Sequence, residues 1–242
     1  MRRRSPGAVV RPRNDLRQYD DLQTEWWQPR GAFAMLHWIA AARARLVPRA
    51  VRAGSVLLDV GCGAGVLAPH VARLGHRHLG LDLVPCSVAQ ARAHGVEAVV
   101  GDAGRIPLRD GCVDVVVAGE VLEHVTDPQR VLAECVRVLR SDGTLVVDTI
   151  AATWWGRFSA ITIGERLPAG PPARLHDARL FTDRDALVAT CHRLGVDLTL
   201  TGLRPSAPDY LLWLAGRRDD VRMVPSRSTA GLFQAHGTKV AP

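Results

Sequence analysis

The segment Leu57–Gly65, LLDVGCGAG, joins an apolar run to an acidic residue and then to glycines at alternate positions, Gly61, Gly63 and Gly65. Glycines let a backbone turn sharply and approach a bound molecule where a Cβ would collide. The spacing GxGxG departs from the GxGxxG turn that aims a helix N-terminus at a pyrophosphate. Asp59 stands two residues before the first glycine, and a carboxylate there serves a cationic group better than a phosphate. Asp82 ends the run HLGLDL, where it can accept hydrogen bonds from both hydroxyls of a ribose. Asp102, in GDA (Gly101–Ala103), is placed to accept from an adenine amino group. Asp59, Gly61, Cys62, Gly63, Gly65, Asp82, Leu83, Asp102 and Ala103 together predict a site for a nucleoside with a cationic aminoacyl end, the chemistry of S-adenosylmethionine.

A second constellation is GEVLEHV (Gly119–Val125), with Glu120, Glu123 and His124 after an apolar strand. If the segment enters a helix, Glu120 and Glu123 (i, i+3) and Glu120 and His124 (i, i+4) share one face. Two carboxylates and an imidazole there can bind a divalent cation, which would lower the pKa of an acceptor hydroxyl and orient it. The alternative keeps Glu120 alone on the cofactor and uses Glu123 and His124 to cap the helix start. Under either reading His124 can serve as general base for a phenol. His176-Asp177 reads as part of the site or as a cap before Arg179–Leu180.

The elements that must position these residues alternate regularly. Strands are predicted over Ser55–Val60, His78–Leu83, Ala98–Val100, Val113–Ala118 and Thr144–Thr149, and helices over Val66–Leu74, Ser87–His94 and Pro128–Leu139. VLLDV and VDVVVA are nearly continuous apolar runs, as in a parallel sheet buried on both faces. The order predicts an α/β fold, a Rossmann-like doubly wound mostly parallel sheet with its ligand at the carboxyl ends of the strands. An N-terminal helical extension covers residues 20–51, where Phe33, Leu36, His37, Ala40 and Ala44 recur at helical spacing and Trp26 and Trp27 pack the helix. The core spans 52–150. A lid or substrate insertion follows the fifth strand over 151–182, with Trp154, Trp155, Phe158, Ile161 and Ile163 over an aromatic substrate or in shallow membrane contact through 154–167. The C-terminal part, 183–242, carries a helix over Asp183–Leu194, a strand over Asp197–Thr201 and a last strand over Gly231–Gly237.

With 242 residues, 47% of them hydrophobic, the chain can bury one full core. The net charge of +7 is almost wholly arginine, Lys239 being the single lysine, and Pro6 and Pro12 break the arginine-rich stretch 1–19, read as a disordered tail. No basic face interleaved with aromatics is evident, so no nucleic-acid partner is expected. Cys62, Cys86, Cys112, Cys135 and Cys191 form no CxxC pair and are read as reduced. No apolar run is long enough to span a bilayer, and a cytoplasmic location follows as the expectation. His37, His70, His76, His78 and His192 show no partner spacing.

Over roughly Arg52–Thr149 the chain resembles class I S-adenosylmethionine-dependent methyltransferases. The segments Glu25–Arg43, GEVLEHVTDP (Gly119–Pro128), Thr153–Gly170, Leu175–Leu187 and Thr201–Leu203 are similar to the ubiquinone-biosynthesis O-methyltransferases, which act on polyprenyl catechols and phenols. The resemblance implies that Arg43 pairs with the carboxylate of S-adenosylmethionine, a job suited to a forked guanidinium. ExxEH also resembles metal-dependent small-RNA 2′-O-methyltransferases, in which a later histidine completes the site. That implies a metal set of Glu120, Glu123, His124 and His176 for Mg²⁺, Mn²⁺ or Zn²⁺. The implied function is O-methylation of a hydroxylated aromatic, such as a quinone precursor or specialised metabolite. N-methylation, RNA 2′-O-methylation, a nucleotide-dependent oxidoreductase and a noncatalytic binder are the alternatives. The sequence departs from the family where its Arg-x-Asn after the LH pair becomes Trp38-Ile39-Ala40, and where Ala173 or Arg174 and Leu175 replace the lysine and threonine of KGTHD.

Overall fold

The computed structural model describes residues 11–240. The β-branched runs form β1 (Val56–Val60), β2 (Arg77–Asp82), β3 (Glu97–Val100), β4 (Val113–Gly119) and β5 (Leu139–Ile150), joined in parallel in the order β3-β2-β1-β4-β5. Beyond β5 the pairing turns antiparallel: β8 (Leu232–Thr238) lies beside β5, followed by β6 (Thr199–Pro205) and β7 (Met223–Ser226). The expected doubly wound, mostly parallel sheet is present, and the strand order reverses between β1 and β4, the switch point where such sheets bind ligands.

Side chains of the central strands point alternately to the two faces. Val116, Ala118, Leu145 and Val147 join one core with α5 (Pro128–Val138) and α7 (Arg184–Arg193). Val115, Val117 and Val146 join the other with Phe33, Ala40, Leu67 and Val71, from α2 (Ala34–Arg43) and α3 (Ala68–Val71) and the segments leading into them. Asp127 starts α5 by accepting from the Arg130 amide, and Pro128 occupies the first turn, where its missing N–H costs nothing. Asp183 caps α7 through the amides of Asp185 and Ala186. α1 (Arg17–Asp21), α4 (Pro85–Ala93), α6 (Trp154–Arg157) and α8 (Ala207–Leu214) complete the helices.

Several expectations need correction. The helix predicted over Val66–Leu74 is only α3 followed by a 3₁₀ turn, Ala72–Leu74. β5 starts at Leu139, earlier than Thr144, because its first residue already pairs with Val113 across a bulge. α8 and β7 arise where no element was predicted. Residues 11–19, expected within a disordered tail, are held by hydrogen bonds: Asn14 N–H donates to the Arg174 carbonyl and the Arg174 Nε to the Arg11 carbonyl. The remainder of that tail, 1–10, lies outside the described residues. Among the described residues no helix is long and apolar enough to cross a membrane.

Leu145 is fully buried on a central strand. Leu145→Ala should lower unfolding free energy by about 2–5 kcal/mol in urea titrations, the cost of a cavity in a core that cannot collapse; a smaller loss would mean this core is loosely packed.

Candidate functional site

At the carboxyl end of β1 the chain turns through Gly63, whose φ of +50° favours glycine, and a Cβ there would stand 2.9 Å from the Trp26 ring. The turn is tied to the next strand, since Gly63 N–H donates to Asp82 Oδ2 (2.9 Å) while Val84 N–H donates to Oδ1 (2.8 Å). Burial pushes the Asp82 carboxyl up, and these amides pull it back. Asp102 closes a tight turn by accepting from Gly104 N–H (2.7 Å). Asp59 is buried, with His78 Nε2 3.5 Å from its Oδ2. Cys62 packs its side chain beneath α4 with Val88 and Ala91, and burial pushes its thiol far up. Asp59, Gly61, Cys62, Gly63, Asp82, Leu83, Asp102 and Ala103 line one cavity of about 1170 Å³. Gly65 does not line it: its missing Cβ faces Ala91 and Val96, so it serves the approach of α4.

Beside this turn, Arg43 from α2 meets Asp148 of β5 through Nε (2.5 Å) and one terminal nitrogen (2.7 Å), both residues being buried. Burial opposes the Arg43 charge, and Asp148 outweighs it, holding the guanidinium well above its ordinary pKa. The approach requires glycine at 119, because a Cβ would fall 1.9 Å from the Arg43 Cζ. Arg43 lines the cavity, and its third nitrogen is not engaged by Asp148.

Glu120 follows with φ +53°, rare for a side-chain-bearing residue. Only Leu122–His124 makes a 3₁₀ turn, so the helix face expected to join Glu120, Glu123 and His124 does not form. Glu120 points into the cavity, with a buried Oε1 that has no hydrogen-bond partner. Burial, then Glu123 and Asp148, push its carboxyl well up.

Glu123, His124 and His176 offer ligand atoms within 4.8 Å of one another, and Glu120 is not among them. Thr149 Oγ1 donates to Glu123 Oε2 (2.7 Å). Glu123 Oε1 and His176 Nδ1 are buried without partners. Burial raises Glu123 to about 7, lowers His124 to about 3 with help from His176, and lowers His176 to about 4 with help from Arg13. The imidazoles stack with centroids 5.0 Å apart. Asp177 accepts from the Arg179 amide and guanidinium in an exposed turn, and no helix starts at Arg179–Leu180, the next being α7.

Tyr19, Trp26 and Phe33 stack into a wall of the cavity, Trp26 and Phe33 with centroids 4.1 Å apart. Trp26, expected only to pack a helix, therefore faces the site. The seven-residue spacing of 19, 26 and 33 was the available signal. Asn14, which touches His124, had no local signal. Much of the remaining lining is apolar: Ile39, Leu203, Met223 and Leu232, with Trp155, Ile163 and Leu167 from the insertion, beside the polar Arg204, Ser226 and Ser228. The insertion runs from α6 into a π-helical stretch, Phe158–Ile163.

Comparison with known proteins follows the same lines. Residues 58–147 match the family described as "Methyltransferase domain". The ubiquinone biosynthesis O-methyltransferase of Hahella chejuensis is 32% identical over 76% of this chain and 81% of its own length. That of Marinobacter nauticus is 33% identical over 86% of this chain and 92% of its own. A SAM-dependent methyltransferase from Thermotoga maritima superposes with a TM-score of 0.65 at 20% identity, covering 92% of this chain and 96% of that one.

The raised Glu123 pKa has a measurable sign. A carboxyl whose folded pKa exceeds its ordinary value contributes stability below about 4.5 and loses it as pH rises through about 7. In protein freed of divalent cations, wild type should lose about 1–3 kcal/mol relative to Glu123→Gln across that range. Parallel pH profiles in chemical denaturation would mean Glu123 is ionised and solvated throughout.

Proposed function

The chain belongs to the S-adenosylmethionine-dependent methyltransferases that include the ubiquinone biosynthesis O-methyltransferases, and from that membership we propose that it methylates a hydroxyl of a small aromatic carrying apolar substituents. The observation that carries this reading is one continuous cavity, running from Asp82 and Gly63 past Glu120 to His124 and His176 and on between apolar walls.

One feature supports a fit to the cofactor: the orphaned Glu120 Oε1 of a residue that lines the cavity. On this reading Asp82 and Leu83 hold the ribose, Asp102 and Ala103 the adenine, and Asp59 with the turn Gly61–Gly63 the aminoacyl end. The third nitrogen of Arg43 takes the carboxylate. The cofactor supplies, when bound, a methyl group on a sulfonium leaving group. The protein's task is alignment and removal of a proton. His124, kept neutral by burial, accepts the hydroxyl proton, and Glu123 beside it compensates the imidazolium.

Glu123, His124 and His176 also fit a divalent cation, since Glu123 Oε1 and His176 Nδ1 are buried potential ligand atoms without hydrogen-bond partners. Such a cation supplies Lewis acidity toward the acceptor hydroxyl. Carboxylate with two imidazoles suits Mg²⁺, Mn²⁺ or Zn²⁺. The lid extends the reading to lipidic acceptors: Trp154 is 73% exposed, and Trp155, Ile163 and Leu167 are exposed around it, an apolar edge for peripheral contact with a lipid surface.

Titration calorimetry should show S-adenosylhomocysteine binding, and Asp82→Ala should weaken it by about 1–3 kcal/mol, the value of charge-assisted hydrogen bonds. Labelled methyl should pass to catechols or phenols; transfer only to amines or to RNA ends would overturn the acceptor class. Chelator should abolish turnover with S-adenosylhomocysteine affinity unchanged, and Glu123→Ala should mimic it. Full turnover in chelator would remove the cation and leave His124 as base.

A further inference from the structure

The N-terminal strap reaches the two stacked histidines through consecutive residues. Arg13 Nη1 donates to Glu165 Oε1 (2.6 Å), on the lid, and to the His176 carbonyl (2.8 Å). Asn14 Nδ2 donates to the His124 carbonyl (2.9 Å), and Asn14 Oδ1 lies 2.6 Å from His124 Nδ1.

These contacts determine more than position. A backbone carbonyl only accepts, so the amide NH₂ of Asn14 must face it, and the amide oxygen is thereby turned toward the imidazole. That oxygen also only accepts, so His124 Nδ1 must carry the hydrogen. In a neutral imidazole the lone pair then resides on Nε2. Asn14 is itself fixed: its φ is +58°, a conformation asparagine tolerates, and its N–H is bonded to the Arg174 carbonyl.

We propose that Asn14 is a positioning residue that locks His124 in the Nδ1–H tautomer and leaves the Nε2 lone pair as the basic or ligating atom of the site. The tautomer follows from the hydrogen bonds alone; its use in taking a proton or holding a cation rests on the function proposed above. The logic is that of partners which orient a metal-bound or catalytic histidine from behind, whose loss costs about 10–100-fold in activity or metal affinity.

The full chain, labelled with ¹⁵N-histidine and freed of divalent cations, is examined by long-range ¹H–¹⁵N spectra at neutral pH, with His124→Gln assigning the resonance. Wild type should show a protonated Nδ1 and a bare Nε2. Asn14→Gly keeps the left-handed backbone but removes the amide, and His124 should shift toward the Nε2–H form favoured by free histidine. Asn14→Asp retains an oxygen facing Nδ1 and should restore the Nδ1–H signature. In turnover, Asn14→Gly should lose about 10–100-fold in kcat/KM, mostly in kcat, with S-adenosylhomocysteine affinity unchanged as the check on folding. An Nε2–H tautomer in wild type, or an unchanged Nδ1–H signature in Asn14→Gly, overturns the proposal. Neither spectrum needs a methyl acceptor, so a wild type that transfers no methyl would sink the proposed function while the assignment to Asn14 stands.

Discussion

The buried pair of Arg43 and Asp148 is the constraint around which the site is arranged. Four carboxylates, those of Asp59, Glu120, Glu123 and Asp148, gather at the carboxyl ends of β1, β4 and β5 or just beyond them, and Arg43 is the guanidinium set among them. Removing either member of a buried pair leaves an uncompensated charge, commonly a loss of about 3–5 kcal/mol. Burial first, and then the neighbouring carboxylates, drive Glu120 and Glu123 upward, and Arg43, committed to Asp148, opposes this only in part. The arrangement has a functional sense: a cationic ligand entering the cavity relieves the excess of buried acid, whereas a pyrophosphate would aggravate it.

Geometry follows from the same pair. Arg43 reaches Asp148 only across Gly119, and the residue after Gly119 is the strained Glu120. The left-handed turn at Glu120, anchored by its amide on the Asp148 carbonyl (2.9 Å), separates Glu120 from the 3₁₀ turn that carries Glu123 and His124. Strain at a non-glycine residue persists only where surrounding structure over-determines it; here it divides the acids between the Arg43 end and the histidine end of one cavity.

What was legible in the sequence is what is local. β1, β4 and the later part of β5 show as apolar runs because both their faces are buried, and Asp82 is visible because a strand end followed by a helix has a short-range pattern. The antiparallel half was less legible. β7 has four residues and a half-exposed pattern, so neither length nor alternation marks it. Gly65 illustrates a local pattern with a different cause, since its glycine is required by α4 rather than by the cavity. Arg43 was assigned through resemblance, which could not indicate that Asp148, 105 residues away, takes two of its nitrogens. Asn14 and His124 are separated by 110 residues, and an asparagine in an arginine-rich stretch carries no periodicity that points across such a distance.

The strap and the insertion differ from the Gly63–Asp82 side of the cavity in what holds them. Asp82 ends β2 and Arg43 ends α2, elements whose apolar residues join the two cores, and the turn at Gly63 is tied to Asp82 by its amide, so displacing them would disturb the sheet packing. Arg13 and Asn14 are held by hydrogen bonds and one ion pair to the lid, with the Arg13 side chain 31% exposed. Contacts of that kind open locally at far lower free energy than core strands do. Arg13 joins Glu165 of the insertion while its neighbour Asn14 joins His124, so consecutive residues of the strap tie the insertion to the imidazole. The turn at Gly63 is held instead by its own amide on Asp82, and it shares none of the strap's contacts.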